Sequence, residues 1–480
     1  MITFSLYISL LVIGLLAEVQ QPLVPQHKER IAIIGAGAGG SSAAYHLQNF
    51  TSHYFNITIF EKNNYIGGRS TTIENYDNST DLPIELGASV FVNANKILFN
   101  AVEQFGLETQ SFSIHEQYPD IFKGSIGIWN GTDFVYKTKG EEGVLFGTIK
   151  FLWKYGLSPI RSYLLVRDIV KKFINDYYRD GFPFTLNEIV QKSGFDEFTN
   201  TDGESFLISK SISEIFTKNI IEAATRVNYA SNVDEIHGLE AVVSLAAEDT
   251  VQVVGGNYKI FEKFIDKSEA KLSLNTGVHN ITKLNGKWTI HSDLGIDDFD
   301  QVIIAAPLRQ TGITINGEIS ELQDVEYRKL HVTYVTTSKS NPVNHKYFGI
   351  EEEAPELILT SSGIDHIPFF SVNVVHYDNI TERITYKIFS PDKIDSNFLS
   401  SYLFNDITDV DIVFEKLWNP YPVLKPTDKF DDFKIGDGIW YLNSIERFIS
   451  TMETSALAGA SVAGLISEGK NTSEIRLSYV

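Results

Sequence analysis

Cysteine is absent from the 480-residue chain, so disulfides, thiolate catalysis and cysteine-ligated metal centres are excluded. Methionine is nearly absent: Met1 and Met452 are the only two. Little in the chain is therefore open to sulfur oxidation, a feature that compositional drift alone could also produce. Basic residues are scarce beside acidic ones, 40 against 61, giving a formal charge of -21. Such a chain has no basic face for nucleic-acid phosphates, and net charge alone disfavours an anionic membrane. Long apolar runs are missing after the first 17 residues: no later segment reaches 18 uninterrupted apolar positions, so the mature protein is expected to be soluble or peripheral.

Residues 1–17, MITFSLYISLLVIGLLA, are apolar and end in small residues ahead of polar EVQQ. They read as a secretory signal peptide cleaved near Ala17, although a positive n-region is lacking. A retained anchor is the alternative, short for a bilayer span. Sequons at Asn49, Asn56, Asn78, Asn130, Asn280, Asn379 and Asn471 accord with glycosylation in the secretory pathway. Hydrophobic content of 43% and charged content of 21% are ordinary for a globular protein, and the length suits two domains.

What the chain does carry is concentrated between Arg30 and Arg69. An apolar run (Ile31 to Ile34) leads into GAGAGG at 35–40 and a small-residue helix pattern; a second run (Ile57 to Phe60) ends on Glu61. Strand, glycine turn, helix and strand, with an acid 21 residues after the last glycine, make up the dinucleotide-binding fingerprint. Gly35 permits the sharp turn, Gly37 lets backbone approach a pyrophosphate, and Gly40 lets helix and sheet close together. Ala38 and Gly39 open the helix, whose positive end faces the pyrophosphate. Glu61 accepts hydrogen bonds from the adenosine ribose and repels a 2′-phosphate. A plain glycine-rich turn of an α/β domain is the competing reading.

Gly67, Gly68 and Arg69 follow Glu61 by six to eight residues. The arrangement resembles the large flavoprotein group that includes amine oxidases and carotenoid desaturases. That resemblance implies FAD, with Gly67, Gly68 and Arg69 beside the pyrophosphate and flavin. It also places Gly87 and Ala88, after Glu85, against the isoalloxazine, and Val278 against adenine. Thr451 and Met452, opening a helix rich in small residues, would present N–H groups to the flavin N1/O2 edge, with Asn443 or Glu446 on the ribityl chain. The fold implied is α/β: a Rossmann-like FAD domain of the glutathione-reductase type (28–110, 248–310, 435–470) with a discontinuous α+β substrate domain (111–247, 311–434).

Elsewhere the periodicity predicts a helix from Asn95 to Phe105 ended by Gly106, and two helices across Gly143 to Tyr178 broken at Gly156 to Pro159. This second stretch holds a surplus of apolar residues, among them Phe146, Ile149, Leu152, Trp153, Leu164 and Phe173. Core packing, the wall of a lipid pocket, and a face resting on a membrane with snorkelling Lys and Arg all stand as readings. Isolated His237 reads as a structural histidine.

Taken together, IAIIGAGAGGSSAAYHLQ, FLWKYGLSPIRSYLLVRDIVKKFI, VVGGNYKIFEKFI and IWYLNSIERFISTMETSALAGASVAGLI resemble the prenylcysteine oxidase (prenylcysteine lyase) family along nearly the whole mature chain. The resemblance implies a lysosomal, vacuolar or secreted FAD enzyme of prenylated-protein breakdown. Its small-molecule substrate is farnesyl- or geranylgeranyl-cysteine, which O2 and water convert to prenyl aldehyde, cysteine and hydrogen peroxide. It implies no metal and no obligate protein partner, while peripheral membrane contact stays open. The chemistry needs no strong protein base, so no catalytic side chain is named. Burial of a C15 chain at ~0.8 kcal/mol per carbon contributes on the order of 10 kcal/mol, a use for the surplus near Phe146 to Phe173. A flavin amine oxidase is the runner-up, with two departures: Thr451 where those enzymes carry Tyr, and no Lys in 308–317. A lipid-binding protein that retains the fold is the third reading. Glu453 stands either as a candidate for the hydration step or as a first-turn acid.

Overall fold

A computed structural model describes residues 28–51, 54–77, 83–138, 151–246, 250–361, 367–468 and 475–477. The leader, Asn78 and Asn471 lie outside them. The two apolar runs become β1 (Arg30–Ile34) and β2 (Asn56–Phe60), joined by α1 (Ala38–Thr51). They pair in parallel, Ile31 against Ile57 and Ile34 against Phe60. Both are buried almost throughout, which is why they read as unbroken apolar runs without alternation. Downstream come α2 (Lys96–Phe105), closed by Gly106 at φ 63°, and α3 (Ser158–Phe173), with Pro159 in its first turn and Gly156 at φ 58° before it.

Three further elements shape the site: β3 (Gln301–Ile304), β4 (Asp411–Pro422) and α4 (Met452–Ser467). One six-stranded sheet runs in the order Lys434–Gly436, Ile439–Tyr441, β3, β1, β2, Lys271–Ser273, parallel except for its first strand. β1 lies between β2 and β3, so the winding reverses there and a crevice opens at the carboxyl ends of these strands. A seven-stranded sheet, mostly antiparallel, takes β4 as one edge, beside Tyr327–Ser338 and then Arg383–Ser390. A third sheet of four strands, built on Val278–Leu284, Lys287–Ser292 and Gly295–Phe299, caps the β1–β3 side.

Small residues bring α4 against α1. A Cβ on Gly459 would stand 2.2 Å from the Gly39 carbonyl oxygen, and the Ser42 hydroxyl donates to the Ala456 carbonyl at 2.6 Å. His237 caps the helix Gly238–Val243 by accepting from the Glu240 N–H, is fully buried, and is held neutral by that burial, which lowers its pKa to about 4. It is the structural histidine expected.

None of the described residues of the apolar surplus lines the cavity at the glycine turns. Leu152, Trp153 and Leu164 face solvent, Ile169 and Phe173 join the core, and Phe146 and Ile149 lie outside the described residues. Phe173 stacks on Tyr177, which stacks on Phe448, so side chains fill the space behind α3. No helix among the described residues is long and apolar enough to cross a membrane.

Candidate active site

A cavity of about 590 Å³ lies in the crevice at the carboxyl ends of β1, β2 and β3. Its wall includes Gly35, Gly37, Ala38, Gly39, Glu61, Gly67, Gly68, Arg69, Gly87, Ala88, Val278, Thr451 and Met452, which come from five separated stretches of chain. Of the residues expected at the cofactor, Gly40 is off the wall, as is Glu446, the alternative to Asn443. A Cβ at Gly40 would fall 2.0 Å from the Gly35 carbonyl oxygen and 3.1 Å from Ile33, so its role is the helix-to-strand contact.

The two glycine turns touch one another. Gly67 N–H donates to the Ala36 carbonyl at 3.0 Å, and Gly37 and Gly67 form a parallel bridge. Glu61 is held in place by the loop it serves: Oε2 accepts from Ala36 N–H at 2.9 Å and Oε1 from Asn63 N–H at 2.8 Å. Gly87 and Ala88 are held from behind. Buried Glu85 accepts from Asn257 N–H at 2.6 Å, while its main-chain carbonyl accepts from Tyr334 Oη at 2.6 Å and Lys387 Nζ at 2.7 Å. Burial raises the Glu85 carboxyl and lowers the Lys387 ammonium, each to about 7.

Arg69 reaches across to the far side. It pairs with buried Glu446 and donates to the Pro420 carbonyl at 3.0 Å. Glu446 also accepts from Tyr327 Oη at 2.5 Å and Asn443 Nδ2 at 2.7 Å. Glu446 is thus taken up by Arg69 and its neighbours and is off the cavity wall, whereas Asn443 lies on it. At the N-terminus of α4, Thr451 and Thr454 form a reciprocal capping box, each side chain accepting from the other's N–H at 3.1 Å. The other N–H groups of that first turn have no intrahelical acceptor, so the end facing the cavity favours negative charge.

Glu453 does not reach the cavity. It points away, accepting from the Ile97 and Leu98 N–H groups at 2.7 and 3.1 Å and from Tyr178 Oη at 2.5 Å. Its task is to cap α2, and burial raises its pKa to about 7. The hydration role is thereby withdrawn.

Two wall residues had no signal in the motifs. Lys416 and Trp418 stand two apart on β4, hence on one face of the strand. The Trp418 ring covers Gly87, where a Cβ would be 2.7 Å away. Lys416 Nζ sits 3.5 Å from the Tyr76 ring centre and 4.3 Å from that of Trp418. It joins no ion pair among the described residues, and burial lowers its pKa to about 7. Alternation along β4 was the only cue that could have found this pair.

The wall also fits a large polar ligand. Ser70 Oγ, Asn443 Oδ1 and Trp418 Nε1 are buried on it without a hydrogen-bond partner among the described residues. Unmet polar atoms gathered on one cavity call for a ligand that brings its own donors and acceptors. With the glycine turns, the ribose acid and the cavity-facing helix terminus, they define a flavin-dependent oxidoreductase.

The family follows from comparison with known proteins. A family model described as prenylcysteine lyase matches residues 139–475, and the chain belongs to that family. A model for an NAD(P)-binding Rossmann-like domain matches residues 33–105. The chain is 28% identical over 459 residues to farnesylcysteine lyase of Arabidopsis thaliana, covering 91% of this chain and 87% of that one. It is 26% identical to human prenylcysteine oxidase 1 over 469 residues, covering 91% and 88%. Among solved structures, putrescine oxidase bound to putrescine aligns at TM-score 0.59 with 14% identity, covering 92% of this chain and 99% of that chain. A fatty acid isomerase from P. acnes aligns at TM-score 0.59 with 14% identity, covering 92% and 98%. At that identity the structural likeness speaks for the fold.

Proposed function

We propose that the protein is an FAD-dependent thioether oxidase that cleaves S-farnesyl- or S-geranylgeranyl-L-cysteine. One thioether, one O2 and one water yield one prenyl aldehyde, one cysteine and one hydrogen peroxide. The observation that carries this reading is the extent of the family match, which runs through β4 and five of the seven strands of its sheet as well as β3 and α4. Bound FAD supplies the two-electron oxidation of the carbon next to sulfur. Glu61 would hold the ribose, the 35–39 and 67–69 turns would hold the pyrophosphate, and Asn443, on the wall, would accept from the ribityl chain. The first turn of α4 offsets negative charge at the ring. Lys416, without a carboxylate partner, receives the α-carboxylate of the substrate's cysteine end.

Passage through the secretory pathway to a lysosome, a vacuole or the exterior belongs to the same reading. Asn49, Asn56 and Asn379 are exposed, and Asn130 and Asn280 are half-buried. A glycosidase-sensitive mass on the purified native protein supports it, and an unglycosylated native chain opposes it.

The reaction is tested by its products. Because the chain has no cysteine, every thiol detected after turnover comes from substrate. Equal amounts of thiol, aldehyde and peroxide are expected. Thiol release without O2 uptake or peroxide would contradict oxidation.

A further inference from the structure

α3 and the short helix before it bury one side and leave a row of large apolar residues on the other. Tyr155, Ser158, Ser162 and Ile169 are buried, with Ser158 Oγ accepting from Ser213 N–H at 2.9 Å, and Leu165, Val166 and Phe173 pack against the core, while Trp153, Leu157, Ile160 and Leu164 face outward. Trp153 is 89% exposed, Leu157 58% and Ile160 48%, and Leu164 continues the row. Ile160 and Leu164 share one face of α3 with Arg167 and Lys171, at steps of four, three and four residues, while Trp153 and Leu157 precede α3, on either side of the left-handed turn at Gly156. Hydrophobicity alone would bury the tryptophan and expose the serines, so this face is built for an apolar surround outside the fold. Ile208 and Ile215 flank it; their segment is tied to α3 through Ser211, Ser213 and Arg161, and both are exposed.

Charge identifies the surround. The chain has 40 basic and 61 acidic residues, yet 151–173 holds five basic residues and one acidic. Lys154, Arg161, Arg167 and Lys171 are all exposed beside the apolar row. Asp168, the single acid, is paired with Arg167 at 3.0 Å. Apolar residues on a helix too short to span, rimmed by long cationic side chains on an otherwise anionic protein, match the acyl-to-headgroup boundary of an anionic bilayer. We propose that residues 151–171 form a membrane-docking face that inserts Trp153, Leu157, Ile160 and Leu164 into an anionic lipid surface. A bilayer is also where a prenyl thioether partitions, but the proposal does not depend on which substrate the cavity takes.

Flotation of the flavin-loaded full chain with phosphatidylcholine vesicles, with and without phosphatidylserine, tests it. Binding is expected with phosphatidylserine and is weaker without it. The double variant Trp153→Ser/Ile160→Ser should bind at least about tenfold less while keeping its flavin and its unfolding midpoint. Arg167→Gln/Lys171→Gln should erase the preference for anionic vesicles. The proposal is overturned if the native chain fails to float, or if the serine variant floats as well as the parent. A serine variant that loses flavin or stability would show the face to be covered by the chain itself. A native dimer that the variant converts to monomer would show the occupant to be a second copy. Either result also overturns it.

Discussion

Lys416 sits where a cation without an acidic partner is costly, in the cavity wall between two aromatic rings. Its ammonium form is the one that captures a carboxylate. With a pKa lowered to about 7 in the free enzyme, kcat/KM for a substrate with a free carboxylate should fall as pH rises through about 7. Lys416→Met should raise KM roughly tenfold or more at pH 6, leave kcat nearly unchanged, and remove that limb of the profile. A methyl ester of the same substrate should be indifferent to the substitution. Glu453 gives a prediction of opposite kind. Its folded pKa, raised from 4.5 to about 7, means that the native state holds the proton more tightly. The stabilisation is therefore full below about pH 4.5 and is lost as pH rises through 7, on the order of 3 kcal/mol in all. Denaturant titrations of Glu453→Gln should show a weaker pH dependence over that window, with flavin retained. At this scale the glycine turns, Glu61 and the Gly87–Ala88 turn were legible because each occupies a fixed offset in a motif. Lys416 and Trp418 were not, because alternation along a strand does not say which cavity tertiary pairing will bring its face to.

Elements that carry a strong period or a sharp stop could be read in advance. α2 ends at Gly106, and α3 starts behind Gly156 with Pro159 in its first turn, as the residues require. What α3 faces could not be read, since an apolar row has the same pattern whether it meets a core, a lipid pocket or the outside. The serines were the overlooked cue: buried Ser158 and Ser162 take the inward positions. The four-stranded sheet after Val278 was missed for a related reason. Its strand Gly295–Phe299 is exposed over four of five residues, so polar and acidic positions mask the apolar alternation. The contact between α1 and α4 leaves no room for a side-chain carbon at Gly459. Gly459→Ala would drive a methyl group into the Gly39 carbonyl and should cost about 1–3 kcal/mol, with weaker flavin retention, measured by unfolding and by flavin-to-protein absorbance.

The whole molecule places a parallel sheet carrying the nucleotide loops beside a second sheet whose edge, β4, closes the cavity. Because the wall draws on stretches from residue 34 to residue 455, the ligand links parts of the chain far apart in sequence. Flavin at about a hundredfold excess over its Kd should therefore stabilise the fold by about 3 kcal/mol, visible as a higher unfolding midpoint for the holoprotein. The central claim, that this cavity holds a flavin which a prenyl thioether reduces, is tested most directly by anaerobic mixing. The flavin absorbance of the purified protein is followed after addition of S-farnesylcysteine and, separately, of putrescine. Bleaching by the thioether alone, reversed on admitting O2, is the expected result; a flavin that only the amine reduces, or a purified chain that binds none, would contradict the account.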